Sequence, residues 1–508
     1  MTVNHHKPVR RLPAGLSPAI PYLVLLIALV LTQGWSFAHV FGPLTAPDPW
    51  MYADQTWALA SRQLNNPIRS EYQLGSDRKI RDIQLPRALA DEANSHGVQK
   101  TTDTILLAIA SPDSLPSAYS DGERDSQRTA LSGGTWHDDL VTGNGRNNQY
   151  PAIPQFAPQA FGVALAMGRD KDVWTCLQWG RLVNLTVFLA LGLVALAAAD
   201  RGRAALLFAL ANPVAVFLAS SLSGDATVIA LATLAVALTG RAWARPNWPW
   251  FGCLMPVAAL LVLAKTAYTP LALVAVFAPE AGWRKRVALA ASTLPTAIVF
   301  LWFQSTRANG MGAAGVDQAL TGAWIKAHPL DDVRIIVENV VAWVGRGFGL
   351  DAVTLTVCAA LAAWYLRRGA PDRRLTVVWL LAAFGALAVT FASLMLTWTR
   401  PDALDASSTL VGGWQARYTL PLIGLIGLLE RPEETKPQKE AGRASRRASS
   451  NIGRTMPSWT SDSTTASPHL LPALPNIPAT GMGSQWMPSR TGATPRRAGS
   501  TSGAPADM

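Results

Sequence analysis

LQWGRLVNLTVFLALGLVALAAADRGR, residues 177–203, decides the fold. Between 177 and 199 the only charge is Arg181, and the rest is mostly Leu, Val and Ala. An apolar run of roughly 20 residues is long enough to cross a bilayer as a helix. It ends in Asp200-Arg201-Gly202-Arg203, a short basic turn, and a second apolar run follows at 204–221. Apolar run, basic turn, apolar run is the pattern of a polytopic membrane protein with that turn on the cytoplasmic side.

The pattern repeats outward in both directions. Apolar runs fall at Ala19–Val40, 177–199, 204–221, 225–240, 249–264, 268–280, 286–303, 351–366, 375–397 and 417–430. With the N-terminus inside, the inner turns hold Arg201 and Arg203, Arg241 and Arg245, Arg284 to Arg286, and Arg367, Arg368, Arg373 and Arg374. The outer connections are poorer: Ser221–Asp225 carries no cation, and Lys265 stands alone. The expected fold is an all-α polytopic membrane protein with about ten transmembrane helices and both termini cytoplasmic. The first run follows Lys7, Arg10 and Arg11, so a cleaved signal peptide competes with a retained helix. Its length and the spans that follow favour retention.

Composition agrees. Hydrophobic residues make up 49% of the 508 and charged residues 15%, against about a quarter in soluble domains. The 19 Trp suit membrane–water interfaces. The net charge of +11 sits in short loops and in the tail, and no nucleic-acid motif accompanies it. The three Cys form no disulfide framework or zinc spacing. Walker A, H-E-x-x-H and G-x-S-x-G patterns are absent, which excludes the common soluble-enzyme signatures.

The domain plan follows: a cytoplasmic N-terminus (1–18), a transmembrane domain (19–430) and a tail (431–508). Outer loops at 41–176 and 304–350 interrupt the transmembrane domain. The first outer loop reads as a small subdomain, and Val333–Val344 in the second as an amphipathic surface helix. From Arg431 onward ten Lys/Arg face five Asp/Glu in a Ser/Thr/Pro/Gly/Ala-rich background. That composition predicts a disordered basic tail.

Costly polar groups are the candidates for function. Asp48, in Pro47-Asp48-Pro49-Trp50, stands where an N-cap belongs, just past the first span. It reads either as a cap or as a general base or divalent-metal ligand at the membrane surface. Asp54 is its backup. Arg181 and Asn184 share a helix face. Asn212-Pro213 should kink its span. Asp225, Lys265 and the run Gly413-Trp414-Gln415-Ala416-Arg417-Tyr418 fall at outer span ends. The bland readings are helix capping for Asp225 and snorkelling for Arg181 and Lys265. The functional one is that Arg181, Asn184, Asp225, Lys265, Gln415, Arg417 and Tyr418 hold a lipid phosphate.

These segments resemble the DUF2142 family of bacterial predicted membrane proteins. The resemblance runs through Pro47-Asp48, Tyr150-Pro151, Gly180-Arg181-Leu182-Val183-Asn184, Asn212-Pro213 with Ser220 to Asp225, Ala264-Lys265 with Tyr268, and Gly413 to Tyr418. It implies a GT-C-like architecture. Glycosyltransferases of that type use a polyprenyl-phosphate-linked sugar as donor and an acidic residue of the first outer loop as base or metal ligand, here Asp48. The family pattern has Pro-Asp-Glu and a nearby His. Here Pro49 replaces the Glu and the His is missing, with Asp54 or His137-Asp138-Asp139 as possible compensation. The implied setting is the bacterial plasma membrane, with membrane lipid and an envelope glycan acceptor as partners and a divalent metal as optional cofactor. A transporter or flippase, or a non-catalytic scaffold for envelope polysaccharide, are the competing functions.

Overall fold

The computed structural model describes residues 17–45, 49–63, 66, 68–73, 76–95, 121–143, 153–305, 318–346, 350–369, 372–398 and 416–430. All belong to the first of two units, Met1–Glu434 and Thr435–Met508. Asp48, Gln415 and the 431–508 tail lie outside the described residues, so the base and tail expectations have no structural counterpart here.

Among the described residues five helices are long and apolar enough to cross a membrane. Four of them are α1 (Ile20–Val40), α6 (Val173–Ala198), α9 (Asp225–Ala244) and α17 (Arg373–Trp398). The fifth stretch, Trp248–Phe277, begins with α10 (Trp248–Lys265). Burial separates the centre from the rim. Of the apolar window in α9, 94% is buried, against 22% in α1. A helix that is apolar all round belongs inside a bundle. In α1 only Leu26, Val30, Gly34 and Phe37, at helical spacing, turn inward. Val24, Leu25 and Leu31 stay exposed, as do Ile298, Leu301 and Trp302 elsewhere on the rim. Such an apolar rim suits lipid.

Of the other expected spans, 351–366 lies in one unbroken 19-residue helix, Leu350–Arg368, and the rest are shorter or broken, for visible reasons. Residues 204–221 form α7 (Arg203–Ala211) and α8 (Pro213–Ala219). The Asn212 side chain accepts from Val214 N and caps α8, since Pro213 cannot continue the ladder. Around 286–303 the helix divides at Thr293 into α12 (Trp283–Ser292) and α13 (Leu294–Ser305). The last run, Arg417–Leu429, is a shorter apolar helix. The expected run at 268–280 is short helical pieces that fold back. Lys265 has an extended backbone (φ −162°, ψ 91°), which ends α10. Its amine reaches Asp225 at one end of α9, yet Leu271 O accepts from Thr239 Oγ1, fourteen residues along α9. A straight continuation would carry Leu271 past Asp225, so the chain reverses at Lys265.

The all-α expectation needs one correction. The segment between α1 and α6 holds two antiparallel ribbons, Ile68–Gln73 with Ser76–Arg81 and Ile83–Pro86 with Leu140–Gly143. Strands of four to six residues are too short for alternation to stand out in a polar stretch. The same segment carries α2 (Pro49–Ala60), α3 (Arg87–Ser95), α4 (Asp121–Leu131) and α5 (Ile153–Met167).

Glycine lets backbones close where the bundle is tightest. A Cβ on Gly162 would meet Trp179 O at 2.4 Å, so α5 lies directly on α6. Gly202 has φ +69°, and its Cβ would stand 2.3 Å from Gly427 Cα. Only glycine fits that left-handed, crowded position. Beside it, Glu430 accepts from Gly202 N and lies 3.6 Å from Arg368. Arg203 donates to Ala199 O and Arg241 to Ala198 O, so the Arg-rich turns gather at this end of the bundle.

Candidate functional site

The other end of the bundle is built from helix ends. The α1 helix stops at Val40 and α8 at Ala219, each leaving carbonyls that no helical N–H can satisfy. Arg181 meets both sets. Its Nε donates to Ser220 O at 2.5 Å, Nη1 to Phe41 O at 3.0 Å and Nη2 to Phe37 O at 3.4 Å, the last a carbonyl that also accepts from Phe41 N. A cation at helix C-termini also suits the helix dipole. One turn on, Asn184 Nδ2 donates to Leu218, Ser221 and Ser223 carbonyls at 3.3, 2.9 and 3.2 Å. Ser221 Oγ accepts from Ser223 N, and Ser223 Oγ from Asp225 N. Arg181 and Asn184 thus shape the turn that presents Asp225 at the start of α9.

Asp225 is where the elements converge. Its Oδ1 lies 3.1 Å from Lys265 Nζ, and its Oδ2 lies 3.0 Å from Arg417 Nε and accepts from Tyr52 OH at 3.0 Å. The four residues come from α9, the reversal after α10, the Ala416–Thr419 turn and α2. Tyr268 OH donates to Tyr418 O at 2.8 Å, tying the reversal to that turn. Lys265 Nζ stands 4.2 Å from the Tyr418 ring centre, within cation–π range. The Arg417 guanidinium is 5.5 Å from the same ring and 6.0 Å from that of Tyr52.

Lys265 and Arg417 share the Asp225 carboxylate in a desolvated place. Side-chain exposure is 1% for Arg417, 13% for Asp225 and 28% for Lys265. Burying charged groups is costly, and such groups in membrane segments mark functional sites by default. The exposure gradient puts the open side at Lys265. Because each Asp225 oxygen already faces a cation, the arrangement favours an added anion over an added metal ion.

Of the sequence candidates, Asp225, Lys265, Arg417 and Tyr418 come together. The hydrogen bonds of Arg181 and Asn184 go to main-chain carbonyls and to Gln178, so these two support the cluster from behind. Asp54 is buried on α2, and burial pushes its carboxyl up to about 8. Asp138 is engaged by Thr135 and Asp139 by Arg87, both exposed. Among the described residues no group of three or more His, Cys, Asp or Glu could hold a metal ion. Tyr52 and Tyr268 were not singled out as site residues from the sequence. A helical signal existed for Tyr52, which stands four residues after Asp48.

Fold and site define a multi-helix membrane protein with a buried cluster of charged groups at the end opposite its Arg-rich turns. The family model described as "Predicted membrane protein (DUF2142)" matches residues 134–426, more than half of the chain. The chain belongs to that family and is embedded in a membrane. No curated protein and no solved structure matches it.

Proposed function

We propose that the protein is a GT-C-like glycosyltransferase of the bacterial plasma membrane. It takes a polyprenyl-phosphate-linked sugar at the outer face, in envelope glycan assembly. The observation that carries this reading is the convergence of Lys265 and Arg417 on one buried carboxylate. A lipid phosphodiester carries one negative charge, which the two cations attract. Its sugar would lie against Tyr52 and Tyr418, and its prenyl chain along the apolar rim.

In the reaction the bond between the sugar's anomeric carbon and the phosphate oxygen breaks. The acceptor hydroxyl forms the new glycosidic bond and gives up its proton. Charge grows on the departing polyprenyl phosphate, where Lys265 and Arg417 stabilise it. Asp48, just upstream of Tyr52 in the chain, takes the proton, with Asp54 as the alternative base. The positive-inside rule supports an orientation with the Arg-rich turns at the cytoplasmic face and the Asp225 cluster at the outer one.

The test is sugar transfer from a polyprenyl-phosphate donor by purified wild type and Asp48→Ala. Loss of general-base help lowers the rate by roughly 10²–10⁴-fold. Equal rates in the two proteins would remove Asp48 from the chemistry.

A further inference from the structure

Asp225 holds both cations of the proposed phosphate site, and it does so from the first turn of α9. The N-terminus of a helix of that length attracts an anion through its dipole. Lys265, Arg417 and the Tyr52 hydroxyl approach the two oxygens of Asp225 from three separate elements. That is the donor arrangement a phosphate oxygen pair would require. We infer that Asp225 is an internal stand-in for the ligand's phosphate, occupying the anion site until a phosphate group displaces it.

The inference rests on the phosphate-site reading and gives it a regulator. An incoming phosphate must compete with a tethered carboxylate, so weakly charged lipids are rejected and affinity is set below the intrinsic strength of two cations. Displacement also frees Tyr52 OH from Asp225, which couples occupancy of the site to α2. Asp48 and Asp54 belong to the same stretch of chain, so binding of the donor phosphate would be felt where the proposed base stands. Were Asp225 instead a strut holding Lys265 and Arg417 in place, its removal would weaken binding.

The two readings predict opposite signs for Asp225→Asn. This variant keeps the side chain's shape and an oxygen for Tyr52, and removes the competing charge. Binding of decaprenyl monophosphate and, separately, of inorganic phosphate is measured on the detergent-solubilised full chain. About tenfold tighter binding by Asp225→Asn than by wild type is expected for the lipid. Unchanged or weaker binding of both probes by a folded Asp225→Asn overturns the inference and leaves the lipid reading standing if wild type binds the lipid. A tightening seen for inorganic phosphate alone supports the stand-in role and overturns the lipid donor. If Asp225→Asn does not yield folded protein, Tyr52→Phe decides. It removes one restraint on Asp225 and should tighten binding a few-fold, and no gain there overturns the inference.

Discussion

Asp54 is a carboxyl that folding places where water does not reach. Its pKa lies at about 8 in the folded chain, far above the usual carboxylate range, and burial is the cause. Between those two values the folded chain binds a proton that the unfolded chain has released. The stability contribution is therefore complete at acid pH and is lost as pH rises through about 8. The slope is at most ~1.4 kcal/mol per pH unit for one group. Asp54→Asn should flatten this part of the profile, seen as a smaller fall in thermal midpoint between pH 5 and pH 8 in detergent, taken as roughly the window set by those two values. An unchanged profile would place Asp54 in contact with water. Asp225 shows the opposite solution to burial, since Lys265 and Arg417 hold it as a carboxylate by direct contact.

At the scale of elements, the ends of helices carry the information. Arg181 satisfies the carbonyls of Phe41, just past α1, and of Ser220, just past α8, which are separated from it by 140 and 39 positions in the chain. Arg181→Ala leaves those carbonyls without a donor, at ~1–3 kcal/mol for each one that stays buried. The expected result is a lower thermal midpoint, with phosphate affinity in the folded fraction within about threefold of wild type. A variant that keeps its midpoint and loses phosphate binding would move Arg181 into the ligand site. Apolar runs made the helices legible, and Asn212-Pro213 announced its break through ring chemistry alone. The job of Arg181 was not legible, because a sequence does not say which distant carbonyls a cation will meet. The reversal at Lys265 was legible only as a lone cation between two apolar runs. Its physical cause, an extended residue pinned to Asp225, is tertiary.

Across the whole molecule, charge is sorted to two ends. Arg-rich turns, with Asp200, Asp372 and Glu430 among them, close one end through Glu430 on Gly202 and Arg368, and through Trp243 Nε1 on Asp372. The other end brings the Asp225 carboxylate between Lys265 and Arg417, with tyrosine rings around them. The sequence pattern predicted this sorting because basic turns recur after alternate apolar runs, and the structure brings the separated members of the site together. The two short ribbons of the segment between α1 and α6 were not legible, since short polar strands leave little periodicity. The central claim is that Lys265 and Arg417 form the phosphate seat of a membrane-embedded protein. The most direct measurement is the affinity of decaprenyl monophosphate for the solubilised full chain, as wild type, Lys265→Met and Arg417→Met, by native mass spectrometry. The account predicts binding to wild type and at least about tenfold weaker binding to each variant, in line with the ~1.5–3 kcal/mol of a charged hydrogen bond. Equal binding to all three proteins would contradict it.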